Sequence, residues 1–513
     1  MPRRHSPLIP LPLLVLAACA EDRSPTAPAP PSAPSAEAVS AVTGQRVVNS
    51  LADPGDGVCD ARQCTLREAI KASGTTAITF APSLTGPITL AAPAAHGGPL
   101  AIATTLTISG PAASITIRRR STDPAFRILR VGEGATVTLT NLALRNGKTD
   151  LQQGGGIINL GTLTLVNCTV AGNASTRFGG GIENQGPLTL AHSTVADNSA
   201  PGGGGIDNVD VRLVATNSVI ARNSGGGIDN RGGTLQLTNT TVSDNVGRGI
   251  AEDRSTSTLD RVRITGNSGG GYALHQGRTA LTNSTIARNS ATEGAGILNS
   301  GGGDLTIAKS TVADNTASGR GGGILDLDDP FGRVGADITL VNSTVTGNSA
   351  ESGGGIQISQ RGSAGMVITN STVASNSARE GGGGIGQDGG LDDGSSGISL
   401  TNSLVARNTA PAGPDLLGSF GARFSLIGDG SGSDLTNTDG NQVGNVSPNT
   451  GPIDPLLGPL ADNGGPTRTR ALLPGSRAID AASSDGCPGK DQRGIARPQG
   501  SACDIGSYER ESP

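Results

Sequence analysis

The stretch Leu188-Thr-Leu190-Ala-His192-Ser-Thr-Val195-Ala-Asp-Asn198-Ser-Ala-Pro-Gly202-Gly-Gly-Gly-Ile206-Asp-Asn208 decides the fold. Apolar residues alternate with polar ones at Leu188, Leu190 and again around Val195, the two-residue period of a strand. The stretch recurs between about residues 135 and 410, with its ladder Asn at 173, 198, 223, 245, 267, 289, 315, 348, 376 and 408. Val or Ile stands three residues earlier each time, from Val170 to Val405. Successive copies lie 22 to 33 residues apart, so a fixed cross-section carries loops of unequal length. Strands this short cannot bury a face alone, but coils stacked about 4.8 Å apart place equivalent residues over one another. One inward ladder then reads Leu165, Leu190, Ala215, Leu237, Leu281, Ile307, Leu340, Ile368 and Leu400, with Thr258 as its break. The glycine triplets and the Asn before each Ser-Thr-Val supply backbone of positive φ at the corners. Ten or eleven coils are expected.

Composition fits a thin aliphatic core. The 513 residues include 80 Gly and 30 Pro but only 6 Phe, 2 Tyr and no Trp. The glycines lack a three-residue period, which excludes collagen, and the recurring Val, Ile and Leu exclude plain disorder. Lys and Arg number 38 against 43 Asp and Glu, a net charge of −5, which argues against a nucleic-acid partner.

At the N-terminus, Arg3 and Arg4 precede an apolar run from Leu8 to Leu16 and the small-residue site Leu16-Ala-Ala-Cys19. This resembles a bacterial lipoprotein signal. The resemblance implies a signal peptide over 1–18, cleavage before Cys19 and lipidation of its thiol, with an Ala/Pro/Ser-rich tether over 19–43. The expected location is the bacterial cell envelope, at the outer membrane or cell surface, with the membrane as a partner through the lipid. In an exported chain, Cys59 with Cys64 and Cys487 with Cys503 read as two local disulfides.

The repeats resemble the right-handed parallel β-helix of the pectate-lyase-like superfamily and are similar to those of polymorphic outer-membrane proteins. The expected class is therefore all-β, a right-handed parallel β-helix solenoid over 126–412. Preceding it, Cys64-Thr-Leu-Arg-Glu-Ala-Ile70 resembles the CSLREA domain, assigned to 44–125 with the first coils. Thr65 and Glu68 have capping-box spacing there, and Leu66, Ala69 and Ile70 would line one face of a short capping helix. After it, Asp462-Asn-Gly-Gly-Pro-Thr467, Asp491-Gln-Arg-Gly494 and Cys503-Asp-Ile-Gly506 resemble the choice-of-anchor Q region, read as a loop-rich cap over 413–513. Asp491, Arg493 and Arg497 are read as an Arg–carboxylate network fastening that cap.

The residue after each Gly-Gly-Gly-Ile should point outward, and on three successive coils it is Glu183, Asp207 and Asp229, with Arg231 nearby. Two readings compete: a solvated acidic stripe whose side chains splay apart, or a Ca²⁺ site, since carboxylate oxygens suit that ion. Asp326, Asp328 and Asp329, in a long spacer, form a second Ca²⁺ candidate. No cofactor is otherwise expected. The sequence has no Gly-His-Gly, no Trp-Ile-Asp-His, no paired Asn-Thr-Asp and Gly-Asp-Asp set, and no Trp for sugar stacking. The residues therefore point to a structural, adhesive or glycan-binding surface module, with extracellular polysaccharide or a surface protein as ligand. The alternative is a Ca²⁺-dependent polysaccharide lyase or glycosidase using Glu183, Asp207, Asp229 and Arg231.

Overall fold

Short strands separated by tight polar bends stack in the computed structural model into a parallel β-solenoid. The structure describes residues 44–95, 97–327, 338–359, 365–388, 397–446 and 451–511. Cys19, Asp328 and Asp329 lie outside them. A 26-stranded sheet, a 15-stranded sheet and a four-stranded sheet form the walls. Among the described residues every named strand pair is parallel except the hairpin Leu457–Ala461 with Thr469–Leu472. The stack is longer than the ten or eleven expected coils. Strands Ile88–Leu90, Ile115–Arg119 and Leu142–Arg145 precede the Asn-Ser-Thr repeats in the 15-stranded sheet, and Leu426–Ile427 and Gln442–Val443 follow them.

The inward ladder is as the alternation predicts, with one correction. Leu237 pairs with Leu259 and Leu259 with Leu281, so Leu259 fills the rung assigned to Thr258, which is exposed. The polar break is one rung over. Ser257 faces inward opposite Leu235 and, with Ser255, donates to the buried carboxyl of Glu252. Burial raises the Glu252 pKa, and Tyr272 beside it donates or accepts at Thr279, 2.6 Å away.

A second column holds the coils in register. Asn198 accepts from the backbone N–H and side-chain amide of Asn173, both at 3.0 Å, and donates to Val170 O and to Asn223 Oδ1. The same pattern passes through 223, 245, 267, 289, 315, 348 and 376 to Asn408. It ends at Asp415, whose carboxylate accepts from the Asn408 amide at 2.8 Å. Each interior side chain thus uses its whole hydrogen-bonding capacity out of water. The preceding residue supplies the bend, with positive φ at Asp197, Arg222, Asp244, Arg288, Asp314, Ser375 and Arg407 and glycine elsewhere. Only one glycine of the triplet at 179–181 has positive φ. The others are needed for close approach: a Cβ on Gly180 or Gly181 would lie 2.5 or 2.6 Å from a carbonyl of the next coil.

The two ends differ. The helix Leu66–Lys71 starts at a capping box between Thr65 and Glu68 and sets Leu66 and Ala69 against the first strands. Arg67 is clamped by Asp53 at 2.6 and 2.9 Å. Cys59–Cys64 and Cys487–Cys503 are disulfide-bonded. At the other end, residues 413–446 continue the coils, whereas 451–511 fold back along the outer flank of the 15-stranded sheet rather than only closing the stack. Gln492 is wedged against Thr311, Thr344 and Thr467, and Asn342, Asn370 and Asn402 donate to the carbonyls of Lys490, Gly486 and Ser483. Arg493 pairs with Asp491 at 2.8 Å and stacks on Tyr508, and Arg497 is buried among the carbonyls of Asp504 and Gly506.

Removing one rung of the asparagine column leaves several buried groups unpaired at about 1–3 kcal/mol each. Asn245→Ala should lower stability by about 2–5 kcal/mol, read as a fall in the urea midpoint, whereas Thr241→Ala on the neighbouring outer face should change it by less than about 0.5 kcal/mol.

Candidate functional site

Strands Ile182–Asn184, Ile206–Val209 and Ile228–Arg231 pair in register, which stacks Glu183, Asp207 and Asp229 directly over one another. The next residue along each strand is Asn. Asn159, Asn184, Asn208 and Asn230 form an inward column linked amide to carbonyl at 2.7, 2.6 and 2.7 Å. This second asparagine column fixes the strand phase and turns the three acids to the opposite, outer face.

The outer face is not open there, which corrects the expectation of a solvated stripe. Glu183 and Asp207 are both 0% exposed and Asp229 is half-buried. The glycine turns before the first two of these strands fold over the acids that follow: a Cβ on Gly179 would lie 2.7 Å from Glu183, and one on Gly203 2.7 Å from Asp207. The acids therefore line a concave corner.

Arginines answer them. Arg231 donates through Nη2 to Asp207 Oδ2 while its guanidinium lies 4.6 Å from the centre of the Phe178 ring. Gln185 donates to Glu183 Oε1 at 2.9 Å. Arg127 faces Glu183, with Arg130 beside it, and Arg248 faces Asp229. Burial, followed by the charge of Glu183, pushes the Asp207 pKa up to about 7 against the pull of Arg231. Burial and the Asp207 charge push Asp229 up to about 6. Burial also raises Glu183, opposed first by its hydrogen bond from Gln185. Glu183 Oε2 and Asp207 Oδ1 have no donor among the described residues although the two carboxyls are in hydrogen-bonding contact. That arrangement accommodates one proton held between them.

Glu183 and Asp207, fully buried on adjacent strands, lack the open space between carboxyls that glycoside cleavage needs to admit sugar or water. Arg231, permanently charged and paired to Asp207, is a poor base. Among the described residues no group of three or more His, Cys, Asp or Glu side chains is placed to hold a metal ion. Asp326 belongs to no spacer loop: it is 0% exposed in the inner row and accepts from Asn299 at 3.1 Å. The sequence marked the three acids and Arg231. Phe178, Arg127, Arg248 and the closing glycine turns were missed, because their nearness to the acids depends on how coils of unequal length fold over one another.

Residues 229–409 match the family model described as "Right handed beta helix region". The solenoid is a right-handed β-helix. A solved structure titled "Crystal structure of pectate lyase Pel9A" is 12% identical, with 91% of this chain and 98% of that chain covered and a TM-score of 0.33. Among curated proteins none matches.

The raised pKa values give the β-helix a defined pH response. A carboxyl whose pKa is higher folded than unfolded contributes stability that is complete below the unfolded value, 3.8 for Asp, and lost as pH rises through the folded one, about 7 for Asp207. Asp207→Asn should therefore flatten the decline in thermal stability between pH 4 and 7 relative to the parent. An unchanged slope would remove Asp207 from that decline.

Proposed function

We propose that this chain is a non-catalytic surface module of the bacterial cell envelope, anchored through lipid on Cys19 and binding extended polysaccharide or surface protein along its flank. The observation that carries this reading is the closure of the acidic row: Glu183 and Asp207 are buried and Arg231 engages Asp207 from within the chain. The outer row of the 26-stranded sheet supports it further. Thr138, Thr164, Thr189, Val214, Gln236, Thr258, Ala280, Thr306 and Thr339 stand in register on successive coils. Such a row, mostly Thr, repeats short side chains at about 4.8 Å, suited to a long ligand rather than a small one.

A panel of acidic and neutral polysaccharides, with and without Ca²⁺, tests binding against turnover. Retention without unsaturated products or new reducing ends is expected. Ca²⁺-dependent product that disappears in Asp207→Asn/Asp229→Asn would establish the lyase or glycosidase reading instead. The anchor is tested separately: Cys19→Ser should move the protein from the membrane fraction to the soluble one.

A further inference from the structure

The corner over Glu183, Asp207 and Asp229 holds a balance of charge that the glycan-binding reading of the flank does not use. Three carboxyls from successive strands have Arg127 on one side, with Arg130 next to it, Arg231 at the end of the third strand, and Arg248 from the following turn. Phe178 and Gln185 are the neutral neighbours. Arginine stays charged across the working pH range. The net charge of the corner is therefore set by how many protons the carboxyls hold.

Their geometry places the first proton. Glu183 and Asp207 are without exposure, and Glu183 Oε2 and Asp207 Oδ1 lack any donor among the described residues. Asp207 Oδ2 is already taken by Arg231. A proton on Asp207 Oδ1, donated to Glu183 Oε2, satisfies both. On the cationic side, Arg231 Nε and Arg248 Nη1 are buried without an acceptor among the described residues. Arg231 belongs to the corner through Asp207, and Arg248 Nη1 lies toward Gly270 of the next coil.

We propose that acidification turns this corner into a binding site for anionic polysaccharide, by protonating the carboxyl stack and releasing its arginines, Arg231 first, from their internal partners. Arg231 is the group able to leave: its side chain is 37% exposed and rests on the Phe178 ring, with Asp207 as its ion-pair partner, Glu183 and Asp229 within reach of its charge and Asp253 its in-register neighbour on the next strand. Burial raises the pKa of Asp207 to about 7 and of Asp229 to about 6, so pH 8 and pH 5 bracket the change. At the upper end the acids largely cancel the arginines. At the lower end the corner is cationic, in a concave site where weak screening strengthens its field. This rests on the glycan-binding reading and adds to it a ligand charge and a condition.

The test uses the full-length protein with dextran sulfate and uncharged dextran, which share a backbone, at pH 5 and pH 8 and equal ionic strength. The parent should bind dextran sulfate about tenfold more tightly at pH 5, with no such change for dextran. Asp207→Asn/Asp229→Asn, neutral at both pH values, should bind at pH 8 as the parent does at pH 5. Arg231→Gln should lose most of the gain. Binding that does not depend on pH, or a gain that survives in Arg231→Gln, overturns the proposal and leaves the wider glycan-binding reading standing. A folded protein that retains no polysaccharide of the panel at either pH overturns both. Should the double variant misfold, carbon-13 NMR of the parent's side-chain carboxyls decides: two coupled titrations between pH 5 and 8 are expected, and independent titrations near pH 4 would sink the shared proton.

Discussion

Everything else in this molecule depends on one buried row of side-chain amides. From Asn173 to Asn408 each interior amide takes two hydrogen bonds from the coil before it, gives one to a carbonyl of that coil and gives one to the amide of the coil after. A shift of one residue in any coil would break several of these bonds at once. The row thus fixes the phase of the strands on either side, which in turn decides which residues face the aliphatic core. Neighbouring hydrogen bonds in such a chain also polarise one another. Asp415 is a suitable last member because a carboxylate accepts without needing a further acceptor of its own.

That phase control lets a chain with so few aromatics build a core. Leu, Ile and Val repeat at fixed rungs, with Ala215 as a smaller one, and the tube is too narrow to require larger side chains. The cost falls on the corners, where backbone of one coil passes against the next and only glycine fits. The acidic corner is a by-product of the same close approach. Glycine turns that nestle over the outer face of the strand remove water from whatever side chain stands there, and on the coils of Glu183 and Asp207 that side chain is a carboxyl.

The fold was largely legible in the sequence because its determinants repeat: the ladder Asn, the Val or Ile three residues earlier and the glycine triplet each recur with invariant local spacing. Where the repeat lapses, the local pattern no longer fixes which residue faces in. Thr256-Ser-Thr-Leu259 offers alternating residues with no Asn-Ser-Thr landmark nearby, and the wrong member was put inside. The first and last coils, which keep the apolar alternation without the landmark, were undercounted. Asp326 looked like a loop residue because it adjoins a run of acids, although its alternation with Ile324 and Leu325 sets it in the inner row. The site was half legible. Register follows from local pattern, so Glu183, Asp207 and Asp229 could be stacked from sequence alone. Burial of their outer faces follows from contacts between residues more than fifty positions apart, such as Arg127 with Glu183 and Phe178 with Arg231, which no local pattern encodes.

The folded-back C-terminal segment bears on how such a chain can change length over evolutionary time. Its hydrogen bonds to the solenoid fall on residues from Lys309 onward, through Thr467, Gln492, Lys490, Gly486 and Ser483. Each contact matches a particular coil to a particular residue of the segment, so duplicating or deleting a coil in that half would put every later match out of step. Pro466 and Thr467 already line a pocket with Arg263 and Arg288, whereas among the described residues coils from Asn173 to Asn245 carry no such pairing. There, an added repeat needs only to accept the amide below and offer one above. The molecule is therefore divided into a stretch free to lengthen by duplication and a stretch whose coil number is locked, with the acidic corner lying in the part that is free to vary.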